Sequence, residues 1–180
     1  VIPVEGDPGV ASAYAAWNAN PCVTDRANKV VNEITQLVVG IRNGALPGVA
    51  AHPALQNVVV VGGDDIIPMA RLDDTTRLGN ETGYADTFDV NGSYYGALST
   101  SHFLSDDPYG DLDPIEWATR RLYVPELALG RLVEKRVADD AGHDGEGRAQ
   151  GALQVRENRV AIDAEPAPRR LQARHVFVIE

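Results

Sequence analysis

The sequence predicts an α/β fold: a partial parallel sheet with flanking helices, a long acidic loop region, and a poorly packed C-terminal tail. Three observations carry this expectation. The run Leu55-Gln56-Asn57-Val58-Val59-Val60-Val61 is short and unbroken and ends in four β-branched residues, the mark of a strand buried on both faces. Two segments with helical apolar spacing precede it. After it, from 62 to about 121, no long periodic element follows, and eleven acids between Asp64 and Asp113 face only Arg71 and Arg77.

Val1-Ile2-Pro3-Val4 reads as the tail of a strand, with Pro3 near its end. Asp7-Pro8 reads as an N-cap followed by a first-turn proline. Val10, Tyr14 and Trp17 then recur at i, i+4 and i+7, giving a short amphipathic helix that stops before Asn20-Pro21. Val30, Ile34, Leu37, Val38 and Ile41 mark a second helix, with Thr24 or Asp25 as its cap and Asn43-Gly44 as its end. Residues 87–90 and 93–95 around Asn91-Gly92 predict a small hairpin with a type I′ turn. Residues 122–124 and 127–133 predict a return to the sheet.

Composition divides the chain near Glu134. Residues 1–134 hold 18 acids and 8 bases, whereas residues 135–180 hold 8 of each. Every Tyr and Trp lies before position 124, and the last 46 residues contain a single aromatic, Phe177. Two regions are therefore expected: an α/β domain over 1–134 and an atypical tail over 135–180. The tail is expected to be disordered from about 137 to 151, around the glycines at 142, 145, 147 and 151, or to be out of the native reading frame. Short strands are expected within it at 152–155, 160–162 and 176–179. The chain opens on Val1, as a mature form or an excerpt would.

A net charge of −10 argues against nucleic acid and anionic membrane surfaces as partners. No stretch nears the ~18 apolar residues of a membrane span, and no segment reads as a signal peptide. Cys22 is the one cysteine, which excludes an internal disulfide and a Cys-rich zinc site. Asp64 and Asp65 follow the β-branched strand, where α/β folds place ligands. A magnesium-dependent phosphoryl-transfer site there would need an Asp-x-Asp or Asp-plus-Lys arrangement, which is missing at Asp64-Asp65. Asp106, Asp107, Asp111 and Asp113 crowd four carboxylates into eight residues around Gly110. Such a cluster needs a cation, an arginine or solvent, so it reads either as a calcium site or as a solvated acidic loop. Its spacing is not that of an EF-hand. None of the four histidines stands out as a catalytic base, although His102 lies between Ser101 and Phe103, and Cys22 reads as a small buried or half-buried residue.

Three blocks resemble the gingipain-type cysteine peptidases. They are Val58-Val59-Val60-Val61-Gly62-Gly63-Asp64-Asp65-Ile66-Ile67-Pro68, Leu104-Ser105-Asp106-Asp107-Pro108-Tyr109-Gly110, and Val124-Pro125-Glu126-Leu127-Ala128-Leu129-Gly130-Arg131-Leu132. The resemblance covers residues 1–134. It implies an incomplete caspase-like fold, a hydrolase lineage acting in proteolysis, a peptide or protein substrate, and an extracellular or cell-surface setting. In that family the catalytic histidine, in a His-Gly pair, and the catalytic cysteine, after an apolar strand, both follow the Gly-Arg strand. No histidine here precedes glycine and no cysteine follows Cys22, so no catalytic residue carries over. The expected function is an incomplete peptidase domain, inactive alone and joined to the remainder of a larger polypeptide. The alternative is a non-catalytic, calcium-stabilised binding or adhesion module.

Overall fold

The computed structural model describes residues 2–133 and 175–179. Its elements run β1 (Ile2–Pro3), α1 (Pro8–Ala19), α2 (Thr24–Asn43), β2 (Asn57–Val61), β3 (Ala70–Asp73), α3 (Ser93–Ser99), β4 (His102–Ser105), β5 (Ile115–Trp117), β6 (Arg120–Leu122), β7 (Ala128–Leu132) and β8 (His175–Ile179). The main sheet has the order β1-β8-β2-β7; β3 pairs with β4 and β5 with β6 in two small antiparallel sheets. The fold is mixed α/β, with flanking helices and one parallel pair, β2 with β7.

Helix α1 starts as its sequence dictates. The Asp7 carboxylate accepts from the Gly9 and Val10 amides at 2.8 and 3.0 Å, and Pro8 occupies the first turn. Helix α2 starts differently from expectation. Val23 is its N-cap and makes no side-chain cap bond, while Thr24 and Asp25 lie in the first turn. It ends on Gly44 in the left-handed region (φ 66°), where a Cβ would come within 2.8 Å of Ala51 Cβ. The apolar faces of α1 and α2 enter one core with Val58, Val60, Ile67, Tyr109 and Leu127.

Strand β2 buries Val58 and Val60 completely, whereas Asn57, Val59 and Val61 are half-buried. The expected burial of both faces is therefore met on one face only among the described residues. The sheet is also less parallel than expected, because β8 runs antiparallel between β1 and β2, with Val59 opposite Phe177. The strand expected at 176–179 thus forms as β8. The glycine-rich stretch and the strands expected at 152–155 and 160–162 lie outside the described residues.

The segment from 62 to 121 contains β3, α3, β4, β5, β6 and three-ten turns at Glu81–Thr87 and Asp107–Tyr109, so it is far from a continuous loop. The expected Asn91-Gly92 hairpin does not form. Gly92 has φ −87°, and the Asp89 carbonyl and carboxylate hold the Gly92 and Asn91 amides at 2.7 and 2.9 Å. Helix α3 begins at the next residue. Its start is set by tertiary contacts: the Ser93 hydroxyl is held by Asp64, and Phe88 stacks on Tyr94 at 5.1 Å between ring centres. Gly96 lets α3 lie directly on the chain at Cys22, where an added Cβ would fall 2.5 Å from the carbonyl oxygen.

That contact generates a test. Gly96→Ala is expected to lower stability by about 1–3 kcal/mol despite alanine's better helix propensity, because both colliding groups are backbone. Gly83→Ala, whose Cβ meets nothing within 4 Å, is the control. A urea midpoint for Gly96→Ala at or above the parent's would contradict the packing.

Candidate functional site

The carboxyl end of β2 is where the ion pairs gather. Asp64 is fully buried, and four donors surround its carboxylate. Oδ1 accepts from the Met69 amide at 2.8 Å and Arg71 Nη1 at 2.6 Å; Oδ2 accepts from Arg71 Nη2 and the Ser93 hydroxyl, both at 2.6 Å. Arg71 is itself 2 % exposed and also donates to the Met69 carbonyl. Its main chain is held by Asn28, whose Oδ1 accepts from the Arg71 amide at 2.7 Å while Nδ2 donates to its carbonyl at 2.9 Å. All four lone-pair positions of Asp64 are taken, so it offers magnesium no ligand atom.

Arg131, on β7, is the second junction. Its Nε and Nη2 bind Asp106 at 2.7 and 2.5 Å, and its Nη1 donates to the Gly62 and Ile67 carbonyls at 2.7 and 2.9 Å. Burial works against its charge, and the Asp106 carboxylate overcomes that effect, leaving the guanidinium more basic than usual. The same turn after β2 receives the Tyr109 hydroxyl on the Pro68 carbonyl at 2.5 Å and the Tyr14 hydroxyl on the Ile66 carbonyl at 3.1 Å. Burial pushes the Tyr109 phenol well above its ordinary range, so it stays a donor.

The four clustered aspartates therefore separate. Asp106 belongs to Arg131. Asp107 is exposed and opens the three-ten turn, its amide donating to Ser105 Oγ at 3.1 Å. Asp111 and Asp113 instead meet Glu126, with one carboxylate oxygen from each of the three within 4.8 Å of the others. Asp111 is buried and accepts from the Asp113 and Val124 amides at 3.0 and 2.7 Å; Glu126 accepts from the Leu112 amide at 2.7 Å. A hydrogen bond to Glu126, reinforced by its charge, raises the Asp113 carboxyl above its usual range, while the Leu112 amide holds Glu126 below. These three residues can hold a metal ion. Glu126 escaped the sequence reading because it lies in a different block, just before β7. The Asp-x-Asp spacing of Asp111 and Asp113 was its only local signal.

Cys22 is half-buried, with Sγ 3.4 Å from the Gly92 carbonyl oxygen and 3.9 Å from that of Val90. No histidine among the described residues bonds to it. His102 sits between Thr100 Oγ1, 3.0 Å from Nδ1, and Asp73, 3.4 Å from Nε2. No described helix is long and apolar enough to cross a membrane. The chain matches no family model, no curated protein and no solved structure.

Removing one partner of the buried pair is the direct test of its role. Asp64→Asn is expected to cost about 3–5 kcal/mol, since Arg71 keeps its charge without compensation. Replacing both, as Asp64→Leu with Arg71→Met, should recover much of that loss. Equal urea midpoints for Asp64→Asn and the parent would remove the pair from its structural role.

Proposed function

We propose that this chain is the N-terminal part of a gingipain-type, caspase-like cysteine-peptidase domain, inactive alone and completed by the remainder of a larger polypeptide. One observation carries the reading. The three sequence blocks that resemble the family, separated by up to 35 residues of other chain, meet at Arg131: the third block supplies the guanidinium, the second Asp106, and the first the Gly62 and Ile67 carbonyls. A shared Ser-Asp, Gly-Arg and strand-turn pattern has a physical reason to persist together if those groups bind one another. In this reading the chain supplies sheet strands and loops on the substrate side. The nucleophile and base, the target peptide, and an extracellular or cell-surface setting belong to the whole protein.

Two experiments bear on it. Continuing the coding sequence, in this frame and the other two, should reveal a His-Gly pair and an apolar strand ending in cysteine; their absence from every frame would sink the lineage. The chain by itself should cleave no Arg, Lys or other peptide substrate, because acyl transfer lacks its nucleophile–base pair. Thiol-dependent cleavage that disappears in Cys22→Ala would contradict this.

A second reading, a non-catalytic calcium-stabilised binding or adhesion module, is favoured by the Asp111, Asp113 and Glu126 oxygens. Three converging carboxylates suit a hard cation. Calcium at one hundred times its Kd should add about 2.7 kcal/mol to stability. The pH dependence has a definite sign. The stabilisation from Asp113's raised value is full at low pH and fades as pH rises through that value. The contribution of Glu126's lowered value is present above its unfolded value and is lost as pH falls through the folded one. Between the two the pair shares one proton, which calcium must displace, so calcium affinity should increase with pH across the carboxylate range. Coincident melts in calcium and in chelator would leave these residues a solvated loop.

A further inference from the structure

The loop 75–80, which joins β3 to the three-ten turn at Glu81–Thr87, is exposed at every residue, and Leu78 is 92 % exposed. Both of its ends are fixed. Asp74 donates its amide to the Ser101 carbonyl at 2.8 Å, and its carboxylate reaches across the loop. Oδ1 accepts from the Thr76 amide and hydroxyl at 2.9 and 2.5 Å, and Oδ2 from the Glu81 amide at 3.3 Å. These bonds, the Thr76 hydroxyl first, hold the Asp74 carboxyl below its ordinary range, so the clasp is charged at neutral pH. Between the held residues, Arg77, Leu78 and Gly79 make no hydrogen bond to any described residue. Gly79 turns the chain at φ 78°, where an added Cβ would meet nothing within 4 Å.

Arg77 stands apart from the other described bases. Arg26, Lys29 and Arg42 belong to α2. Arg71 is buried in β3, and Arg131 lies in β7 with Asp106. Arg120 and Arg121 are exposed, but they sit in β6 and pair with Trp117 and Glu116 of β5. An endopeptidase must draw several residues around the scissile bond into its cleft in extended form. A bond inside a helix or a ladder is therefore cut only after that element opens. The Arg77 segment has no such bonds to break, and exposed loop tips are where chains are preferentially nicked.

We propose that the Arg77–Leu78 peptide bond is a processing site for an arginine-specific endopeptidase, which converts the folded protein into two chains that remain together. Such an enzyme takes the residue before the scissile bond in a pocket closed by a carboxylate, and Arg77, paired with no described acid, is available to enter it. Water adds to the Arg77 carbonyl carbon and the bond to the Leu78 nitrogen breaks. The products are an Arg77 carboxylate and a Leu78 ammonium. The body of the fold spans the cut: β2 pairs with β7, β3 with β4, Ser93 with Asp64, Tyr109 with Pro68, and Arg131 with the Gly62 and Ile67 carbonyls. The Asp74–Glu81 bond bridges the new ends. This inference concerns the chain as a substrate and survives or fails without the peptidase lineage.

The test is limited digestion of the full chain with trypsin at neutral pH under native conditions, with the new amino termini labelled and followed over time. Among the bonds after the eight bases of residues 2–133, the one yielding a Leu78 terminus should be cut first. It should be cut at least about tenfold faster than those yielding Arg121 or Leu122, which require the hairpin to open. Gel filtration should then return the piece ending at Arg77 together with the piece beginning at Leu78, and denaturant should part them. Arg77→Gln, which alters an exposed and unpaired side chain, should keep the parent's melting temperature and lose the Leu78 terminus, while the slow cuts at Arg120 and Arg121 continue. A Leu78 terminus no faster than those of the β5–β6 hairpin, or pieces that separate without denaturant, would each overturn the proposal.

Discussion

A carboxylate that has no access to water constrains everything around it. Asp64 stands at the end of β2 with zero exposure, and an ion so placed is tolerated only if its lone pairs are filled and its charge is matched. Met69, Arg71 and Ser93 meet that demand from three directions. Each answer fixes a different element: the turn after β2, strand β3 and the first residue of α3. Arg71 in turn must be placed within Å tolerance, which is what Asn28 achieves by holding its main chain at both ends. One buried charge thus connects α2, β2, β3 and α3 by geometry that hydrophobic contact alone would leave loose.

What could be read from the sequence follows from the range of the forces involved. Helices α1 and α2 and strands β2 and β7 were legible because their apolar periodicity is local, and α1 carries its own Asp7-Pro8 start signal. Helix α3 was not. Asn91-Gly92 is a strong local turn signal, but Ser93 answers to Asp64, 29 positions away, and Gly96 to the backbone of Cys22. Strand β3 was hidden for a related reason: Ala70 and Arg71 are both buried in succession, so no period-two alternation marks it. In the candidate metal cluster, proximity in sequence suggested four aspartates. The fold kept two, gave Asp106 to an arginine, and supplied Glu126 from the approach to β7.

The division of labour among the acids is electrostatic. Two of the acids drawn away from solvent sit beside a guanidinium, the buried Asp64 on Arg71 and the half-buried Asp106 on Arg131. Both pairs are two-pronged, which adds orientation to attraction. The remaining acids stay near water or lean on backbone amides, as Asp111 and Glu126 do. Asp113 and Glu126 move in opposite directions although they are neighbours, because the hydrogen bond and charge of Glu126 raise Asp113 while the Leu112 amide holds Glu126 down.

Arginine, and not simply positive charge, is what these junctions require. Arg131 uses three nitrogens at once: two grip Asp106, and the third reaches two carbonyls on the turn after β2. A lysine ammonium at the same place would be a point donor on a flexible stem. It could satisfy the carboxylate or the carbonyls but has no planar fork to satisfy both in fixed directions. The turn held this way begins at Gly62 and ends at Pro68, where Tyr109 adds a buried phenol that burial keeps protonated. The first resemblance block is therefore rigid because residues of the second and third close on its main chain. Specific side chains are needed at Asp106, Tyr109 and Arg131, and within the turn at the buried Asp64 and Ile67, while the turn's other contribution is the carbonyl oxygens of Gly62, Ile66, Ile67 and Pro68. Sequence pattern in such a region should concentrate in the residues that grip and in those two buried positions, with looser requirements on the exposed side chains of the segment gripped.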